Sequence, residues 1–299
     1  MTSTSLLQMA RRGAEQRLGR SLPDDADKRT IVTAVFDAHG SRAVVELGRG
    51  IRGLPSHPVL DAVTRMPDPL AVVERWMRLE RFGHTHHRTR TVDAAPRSTT
   101  IEHVSTSGSA IHPLDDLFVW GLYVGLLERA GVTGASVELV QDDGDAVPLT
   151  EGVATRGPHD LPGRTDLARI RWGTADGAAA RALPPSDPHP AAETVSDVDA
   201  MVRTDLVHRW QVAEVAKRLA LSSRQLQRQL RAAGTTFGDL LQRSRVGAAH
   251  DLLKRTELSL VEVAFCTGFA DAAHFSRTFR RLLEVPPSVY RELLGHDET

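Results

Sequence analysis

The chain is expected to fold as an α+β N-terminal domain followed by an all-α C-terminal domain, with two helix-turn-helix motifs joined by a linker helix. Three observations predict this. Strand-like and helix-like spacings are mixed before a four-proline stretch, Ala182-Leu-Pro-Pro-Ser-Asp-Pro-His-Pro190. Only helical spacing follows it. Within that helical part, one short helix-pair pattern occurs twice. The divisions are then residues 1–181, a proline-rich linker over 182–197, and residues 198–299.

Taken in order, Leu6–Leu18, Thr30–His39, His57–Arg65 and Leu70–Phe82 have helical spacing. Pro58 and Pro69 stand at helix starts, where a missing N–H costs little. His84–Val92 and Thr99–Ser105 alternate as strands. Leu114–Ala130 returns to helix, Ser136–Val140 and Ala168–Trp172 read as further strands, and Gln141–Asp166, rich in Gly, Pro and Asp, reads as a long loop. After the linker, helices are expected over Val198–Val207, Val212–Leu219, Ser223–Ala232, Phe237–Leu253, Leu260–Cys266, Ala272–Leu283 and Ser288–Leu293.

Composition excludes several classes. The 299 residues are 41% hydrophobic and 25% charged, too apolar for a disordered chain. A single cysteine, Cys266, rules out a disulfide framework and a cysteine-cluster zinc site, and it reads as a small packing residue. No signal peptide is encoded in Met1–Arg12. The longest apolar run, Leu117–Leu127, is 11 residues, against about 20 for a membrane span. A soluble, cytoplasmic protein is expected. The net charge of −1 hides an asymmetry: from Met201 onward 15 basic residues face 11 acidic ones, a net of +4, whereas the preceding part carries −5. Neither a glycine-rich phosphate loop, a Gly-x-Ser-x-Gly elbow nor a His-Glu-x-x-His string is present. The expectation is a non-enzyme without a cofactor.

The repeat carries the functional reading. Val212-Ala-Glu-Val-Ala216 recurs as Leu260-Val-Glu-Val-Ala264, an offset of 48; Leu226, Arg228 and Leu230 recur as Phe275, Arg277 and Phe279, an offset of 49. The second turn is therefore one residue longer. Leu226 and Leu230 share one helix face and can pack on Val215 and Leu219, which turns Arg224, Gln227 and Arg228 toward solvent. Arginine and glutamine read guanine and adenine edges in the major groove. In the second unit Phe275 and Phe279 are the apolar pair, His274, Arg277 and Arg281 point outward, and Ser276 is placed to touch a phosphate. The helix from Phe237 to Lys254 spans 18 residues. That is roughly 27 Å long, which allows two reading helices about 34 Å apart, one turn of duplex.

At these residues the chain resembles the AraC/XylS family of transcription regulators. The matching strings are Ser222-Ser-Arg-Gln-Leu-Gln-Arg-Gln-Leu230, Arg245-Val-Gly-Ala-Ala-His-Asp-Leu-Leu253, Gly268-Phe-Ala-Asp271, His274-Phe-Ser-Arg-Thr-Phe279 and Pro286-Pro-Ser-Val-Tyr-Arg291. The resemblance implies a DNA-contacting set of Ser222, Ser223, Arg224, Gln227 and Arg228 in the first unit. In the second it implies Ala272, Ala273, His274, Arg277 and Arg281, with Ser276 on the sugar-phosphate backbone. Ala272 and Ala273 carry no hydrogen-bonding side chain, so direct readout there is expected to be weaker. It also implies double-stranded promoter DNA, RNA polymerase and a second copy of the chain as partners, and activation in response to a small-molecule effector. The N-terminal layout resembles the non-cupin effector domain of the branch that holds regulators of ornithine use and mycobacterial virulence regulators. The features are Leu47-Gly48, the helix Leu114–Ala130 and Leu183-Pro-Pro-Ser-Asp-Pro188.

Weaker constellations remain in the first domain. His84, His86 and His87 cluster, and a symmetric hairpin closed by Asp93–Arg97 would set His87 opposite His103, where imidazoles can share a metal or an acidic ligand. A polar, solvent-facing strand is the plainer account. Trp76, Trp120 and Val124 either line an effector pocket or form core. Two alternatives to an effector sensor stay open for this domain: a dimerisation or protein-binding module without ligand, and a catalytic half.

Overall fold

The computed structural model describes residues 3–55, 57–65, 68–83, 87–149, 161, 163–173 and 191–296. The chain divides into two compact units, Met1–Gly177 and Ala178–Thr299.

The first unit is organised around one helix. Its elements are α1 (Ser3–Leu18), α2 (Lys28–Arg49), a short 3-10 turn (Gly50–Gly53), α3 (Pro58–Thr64), α4 (Pro69–Gly83), β1 (His87–Ala95), β2 (Ser98–Ser105), α5 (Pro113–Arg129), β3 (Ser136–Val140), β4 (Ala146–Pro148) and β5 (Leu167–Arg171). Every residue of α5 from Leu114 to Leu127 is buried. An all-round apolar helix must be covered on all sides, and α2, α4 and the sheet supply the cover. Contact between α2 and α5 is close enough to exclude any side chain at three positions, Gly48, Gly121 and Gly125. A Cβ on Gly121 would lie 2.0 Å from the carbonyl oxygen of Val45, and one on Gly48 would lie 2.1 Å from that of Phe118. These glycines let the two backbones touch.

Three sequence expectations change here. The helix expected over Thr30–His39 continues to Arg49, broken only at Gly40, whose φ of 77° interrupts the helical path. The second half, with buried Val44, Val45, Leu47 and Gly48, was not expected, because a glycine followed by serine reads as a stop. The expected loop over Gln141–Asp166 contains β4, paired with β3 through Leu139 and Val147. The β1–β2 register also differs. The turn is the two-residue Pro96-Arg97, and a bulge at Val92 adds a residue to β1, so Thr89, not His87, faces His103. The offset is two residues, which keeps His87 on the same face. The strand order is β1-β2-β5-β3-β4, antiparallel throughout.

The second unit contains α6 (Ala191–Thr204), α7 (Val212–Arg218), α8 (Ser223–Ala232), α9 (Phe237–Arg255), α10 (Leu260–Cys266), α11 (Ala272–Leu283) and α12 (Pro287–His296). Helix α6 begins at Ala191, so the last seven residues of the expected linker are helical; residues 182–190 lie outside the described residues. One core gathers Val198, Met201, Val202, Trp210, Val215, Ala216, Leu226, Leu230 and Leu240. A second is aromatic: Phe269–Phe275, Phe275–Phe279 and Phe279–Tyr290 have ring centroids 5.3, 5.5 and 5.4 Å apart. Cys266 is buried in this half.

Candidate nucleic-acid interface

Helix α8 is started by Ser222. Its hydroxyl accepts from the Gln225 backbone amide at 3.2 Å, and the Gln225 side-chain Oε1 accepts from the Ser222 backbone amide at 2.8 Å, a reciprocal cap. The cap fixes where the helix begins and hence which side chains share a face. Leu226 and Leu230 are buried in the core, while Ser223, Arg224, Gln227 and Arg228 are exposed. Arg224, Gln227 and Arg228 make no hydrogen bond or ion pair among the described residues. Three long polar side chains on one side of a short helix are thus available to an outside partner.

Helix α11 repeats the arrangement with different chemistry. Asp271 caps it, accepting from the His274 amide at 2.6 Å. Phe275, Thr278 and Phe279 are buried. Ala273, Arg277 and Arg281 are exposed, and Ala272, His274 and Ser276 are half-buried. The His274 ring stands edge-on to Phe269 with centroids 5.4 Å apart, and Arg281 bonds Gln242 of α9. Arg277 is exposed, and its side chain makes no hydrogen bond or ion pair among the described residues.

The two turns that set these helices are built alike. Before α8, Ala220 has φ 54° and Leu221 donates to the Ala216 carbonyl at 2.8 Å; before α11, Gly268 has φ 79° and Phe269 donates to Ala264 at 3.0 Å. Each chain path leaves its helix through one left-handed residue. A side chain at Gly268 would have no room: its Cβ would fall 1.9 Å from the Leu206 carbonyl oxygen and 3.0 Å from Arg245 Nε. Arg245 of α9 in turn donates to that same carbonyl at 3.2 Å. Burial pushes the Arg245 guanidinium down to about 10, still charged at neutral pH. Leu206, Arg245 and Gly268 therefore join the α6–α7 loop, the long helix and the second turn at one point. Sequence reasoning missed this joint, since a lone arginine in a helix gives no sign of where it ends.

Residues 215–293 match a family model described as a helix-turn-helix domain. The transcriptional activator NphR of Rhodococcus is 30% identical over 161 residues, 53% of this chain and 40% of that protein. The activator RhaS of Escherichia fergusonii is 42% identical over 79 residues, 26% of this chain and 28% of its own. The TCP pilus virulence regulatory protein of Vibrio cholerae is 26% identical over 102 residues, 34% of this chain. The C-terminal segment is an AraC-type helix-turn-helix domain. The chain spans about two fifths or less of the length of these relatives. Among solved structures, the DNA-binding domain of AdpA in complex with a target DNA is 31% identical over 36% of this chain and 93% of its own, with a TM-score of 0.31. Within the AraC-type domain, the reciprocal cap at Ser222 and the buried Leu226–Leu230 pair determine which residues face outward.

The N-terminal candidates fall differently. Trp76, Trp120 and Val124 are buried at 2%, 0% and 0% exposure, and Trp120 Nε1 donates to the Thr165 carbonyl at 2.8 Å. They pack the interior around α5. His84 and His86 lie outside the described residues. His87 and His103 are brought together edge to face, 5.6 Å between centroids, but His103 Nδ1 is bound to Asp116 at 2.8 Å, both groups buried. Among the described residues no three His, Cys, Asp or Glu side chains are grouped to hold a metal. Nearby, buried Glu80 accepts from the amide and hydroxyl of Thr89 at 2.8 and 2.6 Å, and that hydroxyl also meets Tyr123 Oη. Burial, with Glu80 alongside, holds the Tyr123 phenol well above its ordinary pKa. Alternating polarity could have flagged Thr89; the partners come from α4 and α5 and carry no local signal.

Proposed function

We propose that the protein is a sequence-specific transcription regulator that enters DNA with both α8 and α11. The observation that carries this is the set Arg224, Gln227 and Arg228, exposed and unengaged on a helix whose other face is locked by Leu226 and Leu230. Bidentate contacts from arginine to guanine and from glutamine to adenine discriminate bases. Arg277 serves the same role on α11, with Ser276 on a phosphate and Ala272, Ala273 and His274 at the base edges. Ser222 and Ser223 at the first turn of α8 suit phosphate contact. Helix α9, at 19 residues, is roughly 28 Å long, a spacer of the size that two successive major grooves require.

The N-terminal unit is the sensor and the dimerisation module, and DNA-bound dimers activate through RNA polymerase. Named activators among the similar proteins support that direction. Selection of bound fragments from sheared genomic DNA by the purified full chain, followed by footprinting, tests the reading. Two protected major-groove segments about one helical turn apart on one DNA face are expected. Binding that does not discriminate between selected and random fragments would refute it.

A further inference from the structure

The first unit holds a cleft of about 620 Å³ between β2, the segment leading to α5, and residues 163–166. Small-molecule sites run from about 300 to 1,000 Å³. His103 and Asp116 line it, at 5% and 2% exposure. Asp116 Oδ1 meets His103 Nδ1 at 2.8 Å, and its Oδ2 accepts from Thr165 Oγ1 at 2.6 Å. A carboxylate on Nδ1 makes that nitrogen the donor, and in the neutral imidazole the lone pair is then on Nε2. Among the described residues no hydrogen bond ends on it. A buried imidazole is thus oriented by its neighbour and has one acceptor unused.

The wall is built to stay in place. The His103 amide donates to the Asp166 carbonyl at 2.8 Å, and the Gln141 side chain holds both the amide and the carbonyl of Arg164, at 3.0 and 3.1 Å. The charge is one-sided. Three carboxylates line the cleft, those of Asp116, Asp142 and Asp166, and Arg164 is the one permanent cation among its lining residues. Arg164 is already shared between Asp166, Asp142 and Glu102, at 2.8, 3.2 and 3.4 Å. Val104, Ala110 and Ile111 add apolar surface.

We propose that this cleft binds a small organic cation, an alkyl amine or diamine whose ammonium donates to His103 Nε2 within the field of Asp116 and Asp142. An anion would meet three carboxylates against one guanidinium that two of them already share; a protonated amine supplies donors and positive charge. This rests on the sensor reading of the first unit.

The test is calorimetry and thermal melting of the full chain with 1,4-diaminobutane and butylamine, against butyrate and 1-butanol at equal concentration. The amines are expected to bind saturably and raise the melting temperature, and butyrate and butanol to do neither. His103→Gln should weaken diamine binding about tenfold, a lost charge-assisted hydrogen bond. Asp142→Asn, with its side chain 86% exposed, leaves the fold alone and should weaken it several-fold. Butyrate binding as well as butylamine, no saturable amine binding, or wild-type affinity in Asp142→Asn would each overturn the proposal. Selection of genomic DNA by the chain both with and without 1,4-diaminobutane separates the two readings: DNA binding without amine binding overturns only this inference. Amine binding without DNA selection upholds it and overturns the regulator.

Discussion

At the residue scale, position on a helix face decides what a side chain can do. Arg228 projects from α8 without a partner, so Arg228→Ala should leave the melting temperature unchanged and cost about 1–3 kcal/mol of specific DNA binding, with relaxed preference at one base pair. Ser276→Ala should weaken all sites evenly. Quantitative binding to a site and its single-base variants checks both, and an unaltered base preference in Arg228→Ala would overturn the proposed reading face of α8. A second residue-scale prediction concerns acid. Asp115, in the first turn of α5, is buried, which works against ionisation, but Lys28 and Arg29 outweigh burial and hold its carboxyl below the ordinary aspartate value. A depressed folded-state pKa stabilises the protein above the unfolded value, about 3.9, and that contribution disappears as pH falls through the lower folded value. Asp115→Asn should therefore lower stability at pH 7 and flatten its decline below pH of about 4. Melting of both proteins across that range reads it. Nothing in the spacing around Asp115 or Asp116 announced either partner; Lys28, Arg29, His103 and Thr165 reach them from distant parts of the chain.

At the scale of elements, the paired turns make a matched experiment. Ala220 and Gly268 hold the same left-handed place in the two helix pairs, but Ala220 bears the strain of a Cβ there. Ala220→Gly should stabilise the domain by about 0.5–1 kcal/mol, the left-handed penalty less the added chain entropy of glycine. Gly268→Ala should cost more than that, since it adds strain and drives a methyl into the Leu206 carbonyl. Denaturant titrations of both variants give the signs directly, and equal effects would remove the argument for the Leu206–Arg245–Gly268 joint. The helices themselves were legible. Periodicity placed α4, α5 and α7 through α11 within a few residues, because each has an apolar face or, in α5, an apolar circumference. The second half of α2 was not, because Gly40 reads locally as a terminator while tertiary packing against α5 carries the helix past it. Strand β4 was hidden for the related reason that three residues are too short to show alternation.

At the scale of the molecule, the two units have separate cores, which predicts separable parts. A fragment of residues 191–299 should fold by itself, because the Val215–Leu226–Leu230 cluster and the Phe269–Phe275–Phe279–Tyr290 stack are complete within it. It should bind the selected DNA more weakly than the full chain if, as proposed, the first unit dimerises and so tethers two readers. Its affinity should fall steadily with added salt as counterions are released. Circular dichroism and salt-dependent titrations test this, and a fragment that does not fold would contradict the division. What the sequence determined by itself was the helix-turn-helix half: its helix pairs, their repeat at offsets of 48 and 49, and the outward residues of α8. These follow from short-range periodicity, in which apolar spacing dictates both helix and face. What only the tertiary structure decided was the rest: the β1–β2 register, the backbone contact of α2 with α5, the joint at Arg245, and the His103–Asp116–Thr165 cleft. Each joins residues far apart in the chain, where one turn or one bulge sets the pairing, and no local pattern records which distant group a buried polar atom will meet.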